Sequence, residues 1–428
     1  DLLAIVILAF VALFTIIGSV IFVMKIGIFI PVGAPNLKMT SIQVLLMIWI
    51  GSGFMMISGF LSAILNYNKQ FFKVACTSLI PAFLMICFVL LFHAKLQVRS
   101  ISLGFCLGFL FQFIILFKAS KVSINLFSFN VRHIPYKKLM FQQSFLVTLS
   151  LLPFTILIPI AYFWASQLET GSISYLGYSQ SFAGFLSVAV SMGIAVVSLP
   201  ELADKFAVED ADSELLRFEK TLKYVLLIGM FIAGFLITLR VPIISFFYER
   251  GSFDVDSVNN FSRVIPWYLL AAVFVGGLNI LRNLFYSKGE FRRIAILGLI
   301  MPVIFFVLAG ILKNKFSYVG IGIANALTFI ILFFTSIHIA KNKDAEFLTS
   351  NFILFIFKNV IAVMVSILSV TKCLPFILST TSQLASITLC FLFFTALYIL
   401  VLKFIFRLEE LDEIEKICIN AMNSSNKL

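Results

Sequence analysis

The chain has 428 residues, of which 61% are hydrophobic and only 12% are charged, and its mean hydropathy is +1.08. A soluble domain is nearer roughly half apolar and a quarter charged, so this composition excludes an ordinary soluble protein. The net charge of +12 does not indicate a nucleic-acid partner, because the Lys and Arg residues lie in short loops between apolar segments, where they orient a chain in the bilayer.

Apolar segments long enough to cross a bilayer recur along almost the whole sequence. They predict an all-α polytopic membrane protein with about twelve transmembrane helices. The predicted spans are 2–24, 41–66, 72–93, 100–117, 139–166, 173–200, 221–247, 261–287, 293–312, 318–340, 349–370 and 384–406.

The charges of the loops predict the orientation of these helices. The side that holds Lys118, Arg132, Lys288 and the C-terminal tail collects roughly twice as many Lys and Arg residues as the other side. Loops rich in Lys and Arg face the cytoplasm. Both ends of this chain are therefore expected to be cytoplasmic.

A short basic and aromatic segment occurs twice, as YNKQFFK at 67–73 and YSKGEFR at 286–292, which are 219 residues apart. Four matched positions in seven are a weak signal, but each copy lies between two long apolar helices. The flanking residues recur at nearly the same offset: Gly33 and Gly251, and Pro81 and Pro302. We interpret this as an internal duplication with parallel repeats, a construction common in transporters.

The duplication predicts how the chain is divided. A basic cytoplasmic linker, 121–138, separates the four remaining helices of a first lobe at 1–120 from a six-helix second lobe at 139–343. A C-terminal helix pair at 344–407 and a cytoplasmic tail at 408–428 follow. The first repeat would begin upstream of residue 1, so we expect about 80 further residues, or two helices, and about fourteen helices in the parent protein.

Several segments resemble one known family. The segment GSISYLGYSQSFAGFLSVAVSMGIAVVSLPELAD at 171–204 resembles, without a gap, the eighth helix of MviN/MurJ-type lipid II flippases of the MOP exporter superfamily. FYERGSFDVDSV at 247–258 looks like the Phe-x-x-Gly-x-Phe turn of that family, and FYSKGEFR at 285–292 looks like its Phe-Tyr-x-x-x-Asp-x-Arg turn. The resemblance covers nearly the whole chain, as helices three to fourteen.

The resemblance implies a flippase of the bacterial cytoplasmic membrane that moves an undecaprenyl-diphosphate-linked cell-wall precursor, lipid II, by alternating access. It implies no cofactor, with transport coupled to the membrane potential or a cation gradient. Expected partners are the lipid-linked glycan precursor and membrane lipids, with cell-wall synthesis proteins as further candidates.

The sequence departs from the family at important positions. The family carries an Asp-Arg pair on helix eight, where its arginine is expected to meet the substrate diphosphate, but this chain has Gln180 and Ser181 there. The family proline after the 285–292 turn is Ile294 here. These differences keep other functions open: a flippase for another lipid-linked polysaccharide unit, such as O-antigen or capsule, a drug or cation antiporter, or a non-transporting membrane scaffold.

Four residues are candidate substrate ligands, and one is a candidate cation ligand, because polar groups inside a membrane are costly and often functional. Arg282 is suited to phosphate by its planar, permanently charged fork, although it could instead snorkel to the headgroups. Asn279 lies one turn earlier on the same face and could line a cavity or join two helices. Gln180 and Ser181 are the other two, and Glu169 could bind a cation or be an exposed loop acid.

No sequence motif indicates catalysis or metal binding. The six cysteines include no C-x-x-C pair, and the three histidines have no metal-ligand spacing. No P-loop, G-x-S-x-G or H-E-x-x-H sequence lies in a suitable context. We therefore expect neither an enzyme nor a metal site.

Overall fold

The computed structural model describes residues 35–120, 137–187, 211–251, 253–344, 350–380 and 383–406. All secondary structure in these ranges is helical, and nine helical segments there are long and apolar enough to cross a membrane. The predicted all-α polytopic class is confirmed. The predicted span 2–24 and the second part of 173–200 lie outside the described residues, and the total number of helices and their grouping into lobes stay predictions.

The chain forms two compact units, 1–137 and 138–428. In the first unit, α3 packs against both α1 and α2. A Cβ atom on Gly108 would lie only 2.6 Å from Cα of Pro81, so the glycine is what allows α3 to approach α2 this closely. The helices of this unit are α1, Pro35–Tyr67; α2, Phe71–Leu96; and α3, Val98–Ser120.

The second unit is built around one buried helix. Its helices are α4, Lys137–Ala165; α5, Ser172–Ser187; α6, Ala211–Thr238; α7, Arg240–Tyr248; α8, Val255–Ser287; α9, Phe291–Asp344; α10, Ser350–Thr380; and α11, Gln383–Leu400, which continues into a π-helical turn at Val401–Ile405. The most apolar stretch of α8 is 72% buried, against 11% for α2. Helix α8 therefore forms the core, packing against α5, α6, α7 and α9, while α2 exposes most of its surface.

One predicted span is divided in the structure. The sequence suggested a single helix at 221–247, but α6 ends at Thr238 and the short helix α7 begins at Arg240. Pro242 explains the break, because proline is tolerated in the first turn of a helix but cannot continue a preceding one. Hydropathy alone did not reveal this boundary.

The C-terminal helices are joined to α6 by a buried polar contact. The hydroxyl of Tyr398 on α11 lies 2.6 Å from Oδ1 of Asn359 on α10 and 3.1 Å from the carbonyl oxygen of Leu227 on α6. Asn359 is fully buried and Tyr398 is 2% exposed. A polar pair at this depth favours one packing of the three helices, because neither group has water as an alternative partner.

The two copies of the repeated turn have the same backbone hydrogen bonds. In the first, Lys69 N–H donates to the Asn66 carbonyl and Gln70 N–H to the Leu65 carbonyl; in the second, Gly289 donates to Tyr286 and Glu290 to Phe285. Lys69 and Gly289 both have positive φ, at 57° and 71°. Both turns are thus Schellman motifs that end α1 and α8. Their equivalent residues are 220 apart, one more than the sequence match suggested.

A second pair of junctions repeats at the same offset. Gln97, between α2 and α3, has φ 48° and ψ −128°. Ser317, which interrupts α9, has φ 53° and ψ −139°. These residues are also 220 positions apart, and their conformation is one that non-glycine residues rarely adopt. The two junctions of α1–α3 therefore recur at one offset, at the end of α8 and within α9, as the predicted duplication requires.

Replacing Ser317 by glycine should stabilise the protein. A non-glycine residue in this region carries strain of about 1–3 kcal/mol, which exceeds the usual entropic cost of glycine. We expect Ser317→Gly to raise the free energy of unfolding by about 1 kcal/mol, seen as a higher thermal midpoint in detergent. Ser78→Gly, inside α2, is the control and should lower it by about 0.5–1 kcal/mol. A fall of similar size for both variants would contradict the assignment of strain to Ser317.

Candidate functional site

The adjacent residues Gln180 and Ser181 face different surroundings, as neighbours on a helix must. Gln180 is half-buried and lines a cavity of the second unit. Ser181 is exposed, and its hydroxyl donates a hydrogen bond to the Gly177 carbonyl at 2.9 Å. Ser181 is not among the residues that line this cavity, so the structure does not bring these two predicted ligands together.

The cavity next to Gln180 has a volume of about 170 Å³ and is lined by residues of α4, α5, α8 and α9. We call it the polar chamber. Most of its wall is apolar, and the lining contains no charged residue. Its principal residues are the polar Gln180, Tyr268 and Asn325 and the aromatic Phe154, Phe305 and Phe329.

Arg282 and Asn279, two further predicted ligands, are in contact. The Arg282 guanidinium donates a hydrogen bond to Oδ1 of Asn279 and lies over the Phe154 ring, 4.9 Å from its centroid. Asn279 is one turn deeper in α8, whereas a snorkelling arginine would extend towards Lys288 and the headgroups. The guanidinium is therefore held inside the second unit. In the described part of the chain, no carboxylate forms an ion pair with it.

A small space beside Arg282, the arginine pocket, has a volume of about 10 Å³, enough for about one water molecule. Ser150 and Ser336 supply its polar wall. Ser150 donates to the Val147 carbonyl at 2.7 Å, which leaves its oxygen to accept from the Tyr286 hydroxyl at 2.6 Å. Phe154 lines both this pocket and the polar chamber, so one phenyl ring separates the cation from the neutral cavity.

Glu169, the predicted cation ligand, is exposed in the turn between α4 and α5. Its backbone carbonyl accepts a hydrogen bond from the Ser172 N–H at 3.1 Å. It lines neither the chamber nor the pocket. Within the described ranges, no three His, Cys, Asp or Glu side chains are grouped so that they could hold a metal ion.

The 247–258 loop closes the opposite end of α8 from the Tyr286 turn. Tyr178 and Phe253 pack edge to face, with ring centroids 5.5 Å apart, and both contact Phe261. Burial, with a smaller contribution from Tyr178, raises the pKa of Tyr248 in this cluster. Asp254 caps α8 by accepting a hydrogen bond from the Ser257 N–H at 2.9 Å. The aromatic residues thus fix the start of the helix that carries Tyr268 and Arg282.

Three residues of the site were not predicted from the sequence. Phe154 is one of 51 phenylalanines, and its position over Arg282 depends on the packing of α4 against α8. Asn325 and Tyr268 carried a detectable signal, as single polar side chains inside long apolar segments.

The architecture is shared with known membrane transporters. A solved structure described as lipid II flippase MurJ in an inward closed conformation is similar over 95% of this chain and 82% of that chain, with a TM-score of 0.71 and 21% identity. A Vibrio cholerae MATE transporter, VcmN, is similar over 80% of this chain and 78% of that one, with a TM-score of 0.62 and 12% identity. The fold of this chain is therefore the one that these two solved structures share.

The family can also be assigned. The family model of lipid II flippase MurJ matches residues 2–395, so the chain belongs to the MurJ family, whose members are multi-pass proteins of the bacterial inner membrane. A probable lipid II flippase MurJ of Bdellovibrio bacteriovorus is 26% identical over 190 residues, and one of Buchnera aphidicola is 25% identical over 329 residues. The matched segments cover 44% and 74% of this chain but only 35% and 62% of these relatives.

The cap at Asp254 predicts a pH-dependent contribution to stability. Hydrogen bonds from the Ser257 side chain and backbone lower the pKa of Asp254 below its ordinary 3.8. A carboxylate with a depressed pKa stabilises the folded state above its unfolded-state pKa, and this contribution is lost as the pH falls through the lower value. Asp254→Ala should therefore lower the thermal midpoint at pH 7, and the difference from the wild type should shrink below pH about 4.

Asp254→Asn is the matched control for this effect. Its amide oxygen can still accept from the backbone, so most of the cap should remain without dependence on pH. Equal midpoints for the wild type and Asp254→Ala at pH 7 would show that the cap contributes nothing.

Proposed function

We propose that this chain is part of a flippase that moves an undecaprenyl-diphosphate-linked cell-wall precursor, lipid II, across the bacterial inner membrane. The family match over residues 2–395 supports this class of activity. The names of the curated relatives support the same substrate. Because the matched segments cover only part of those relatives, the activity is proposed for the whole protein.

In this proposal, the polar headgroup enters from the cytoplasmic side while the lipid tail stays in the bilayer. No covalent bond is made or broken, so the protein acts as a transporter without a cofactor. The membrane potential or a cation gradient would return it to its starting state. Both ends of the chain would face the cytoplasm, and membrane lipids and cell-wall synthesis proteins are its proposed partners.

The position of the Arg282 guanidinium inside the second unit supports an anionic substrate. A guanidinium held in a membrane interior is costly unless another group offsets its charge. Asn279 and Phe154 offset it only in part, since one is a neutral amide and the other a π face. A diphosphate would provide the missing negative charge and accept the paired hydrogen bonds that a guanidinium forms best.

The arginine pocket is too small to admit a phosphate while Phe154 covers Arg282. In the proposed cycle, the Phe154 ring therefore moves before the anion binds. A cation–π contact is worth about 0.5–2 kcal/mol, which is less than typical losses on removing one partner of a buried charge pair. An anionic group could thus replace the ring.

Complementation tests the proposed activity. The full-length gene should restore growth to bacterial cells depleted of their own lipid II flippase. A protein that is well expressed and inserted in the membrane but gives no growth would contradict lipid II as its cargo. It would leave the family and the fold unchanged.

Arg282→Met tests the role of the cation in the same cells. Methionine keeps the length of the side chain but removes the charge, so we expect about 100-fold fewer surviving cells at equal protein levels. The thermal midpoint should stay the same or rise, because a buried charge without a carboxylate partner is replaced by an apolar side chain.

Arg293→Met is the matched control, since Arg293 pairs with Glu290 at 3.1 Å at the turn after α8. Cells that carry Arg293→Met should grow as well as cells with the wild-type protein. Full growth of Arg282→Met would exclude a role for Arg282 in binding the substrate.

The residues around Gln180 support a second candidate substrate, a different lipid-linked glycan. The family resemblance places a charged pair at 180 and 181, yet Gln180 faces a chamber without charged residues. A substrate with a different headgroup, such as an O-antigen or capsule unit, would fit this neutral lining. Growth tests in cells that lack the corresponding flippase would identify it.

A further inference from the structure

The polar chamber has an arrangement that packing alone does not explain. Its volume of about 170 Å³ is far larger than the 10 Å³ of the arginine pocket, so it has room for several water molecules. Its walls come from four helices of the second unit. A tightly packed membrane protein would normally fill such a space with side chains.

Three polar side chains line this space without a hydrogen-bond partner among the described residues. Tyr268 is 6% exposed and Asn325 is 8% exposed, while Gln180 is half-buried. Together they offer two amides and one hydroxyl, which can both donate and accept hydrogen bonds. Their polar atoms are open to the space of the chamber, where an occupant with matching donors and acceptors would pair with them.

The rest of the lining indicates the kind of occupant. Charged side chains are absent from the residues that line the chamber, which argues against a strongly charged group. Phe154, Phe305 and Phe329 provide aromatic surfaces, and the rings of Phe154 and Phe329 lie 5.7 Å apart. Aromatic faces carry a negative quadrupole and attract weakly positive C–H groups. A sugar ring combines such C–H faces with hydroxyl groups at its edge.

We propose that the polar chamber binds one neutral sugar ring, with Gln180, Tyr268 and Asn325 as its hydrogen-bonding ligands. This inference deepens the proposed function, since it assigns part of a lipid-linked glycan to these side chains. Phe154 borders both the chamber and the arginine pocket. A sugar in the chamber would therefore lie one side chain from the cation, as a sugar bonded to a diphosphate requires.

Binding of a labelled monosaccharide to the full-length protein in lipid nanodiscs tests the proposal. Tritiated N-acetylglucosamine is the probe, and mannitol, an acyclic polyol, is the competitor that should not displace it. A ligand of this size should bind with a Kd of about 1 mM. The double variant Gln180→Leu with Asn325→Leu should bind at least about 10-fold more weakly.

Two further variants change the chamber in other ways. Tyr268→Phe removes one hydroxyl and keeps the ring, so a smaller loss of about 5-fold is expected. Gly184→Leu fills the chamber, because a Cβ atom at Gly184 would meet nothing within 4 Å, and it should abolish binding. Gln142→Leu, the same substitution at an exposed position of α4, should bind like the wild type.

The thermal midpoints of these variants separate binding from a structural role. The amides of Gln180 and Asn325 form no hydrogen bond with the described part of the chain, so replacing them by leucine should leave the midpoint unchanged or raise it. A large fall in the midpoint together with lost binding would show that the groups are structural and would overturn the proposal.

The remaining outcomes are also decisive. Absence of saturable sugar binding to a protein that restores growth would overturn the sugar site and leave the flippase intact. Stabilisation by sodium ions but not by the sugar would overturn it in favour of a cation site. Sugar binding that depends on Gln180, in a protein that does not restore growth, would support the chamber and reject lipid II as cargo.

Discussion

The hydrocarbon interior of a bilayer offers no hydrogen-bond partners, and the rest of the structure depends on this constraint. Helices satisfy the backbone, and many hydroxyl side chains donate to the carbonyl one turn earlier, as Ser366 does to Ala362 at 2.8 Å. A side-chain amide has two donors and an acceptor, which one such bond cannot satisfy. The Tyr398 hydroxyl donates to Oδ1 of Asn359, whereas Gln180, Tyr268 and Asn325 have no hydrogen-bond partner among the described residues, which is why their position indicates a ligand.

Two helix junctions have the same backbone conformation at both positions of the predicted repeat. The two Schellman turns place Lys69 and Gly289 in the same left-handed conformation, although only glycine adopts it without strain. Gln97 and Ser317 share a second unusual conformation at the same offset of 220 residues. Different side chains thus occupy the same backbone conformations, so the geometry of the junctions, rather than their residues, is the repeated feature.

The membrane segments could be predicted from the sequence because hydropathy is a property of about twenty consecutive residues. The register of the repeated turn and the residues that meet at the site could not be predicted in this way. The matched Tyr and Lys residues of the repeat are 219 positions apart, whereas the equivalent backbone hydrogen bonds of the two turns are 220 positions apart. The side-chain match is therefore one residue out of register with the backbone. Arg282 was found as an isolated charge, while Phe154 and Asn325 come from different helices and meet the site only through packing.

The placement of Phe154 connects the two parts of the proposed site. While its ring lies over Arg282, it shields the cation and closes the chamber from the arginine pocket. Movement of this one ring would expose the guanidinium to the chamber and merge two spaces into a larger one. The joined site would be neutral at one end and cationic at the other, which is the order of charge along a glycan linked to a diphosphate. Either half alone would fit a free sugar or a free anion, so selectivity for a linked substrate would require both.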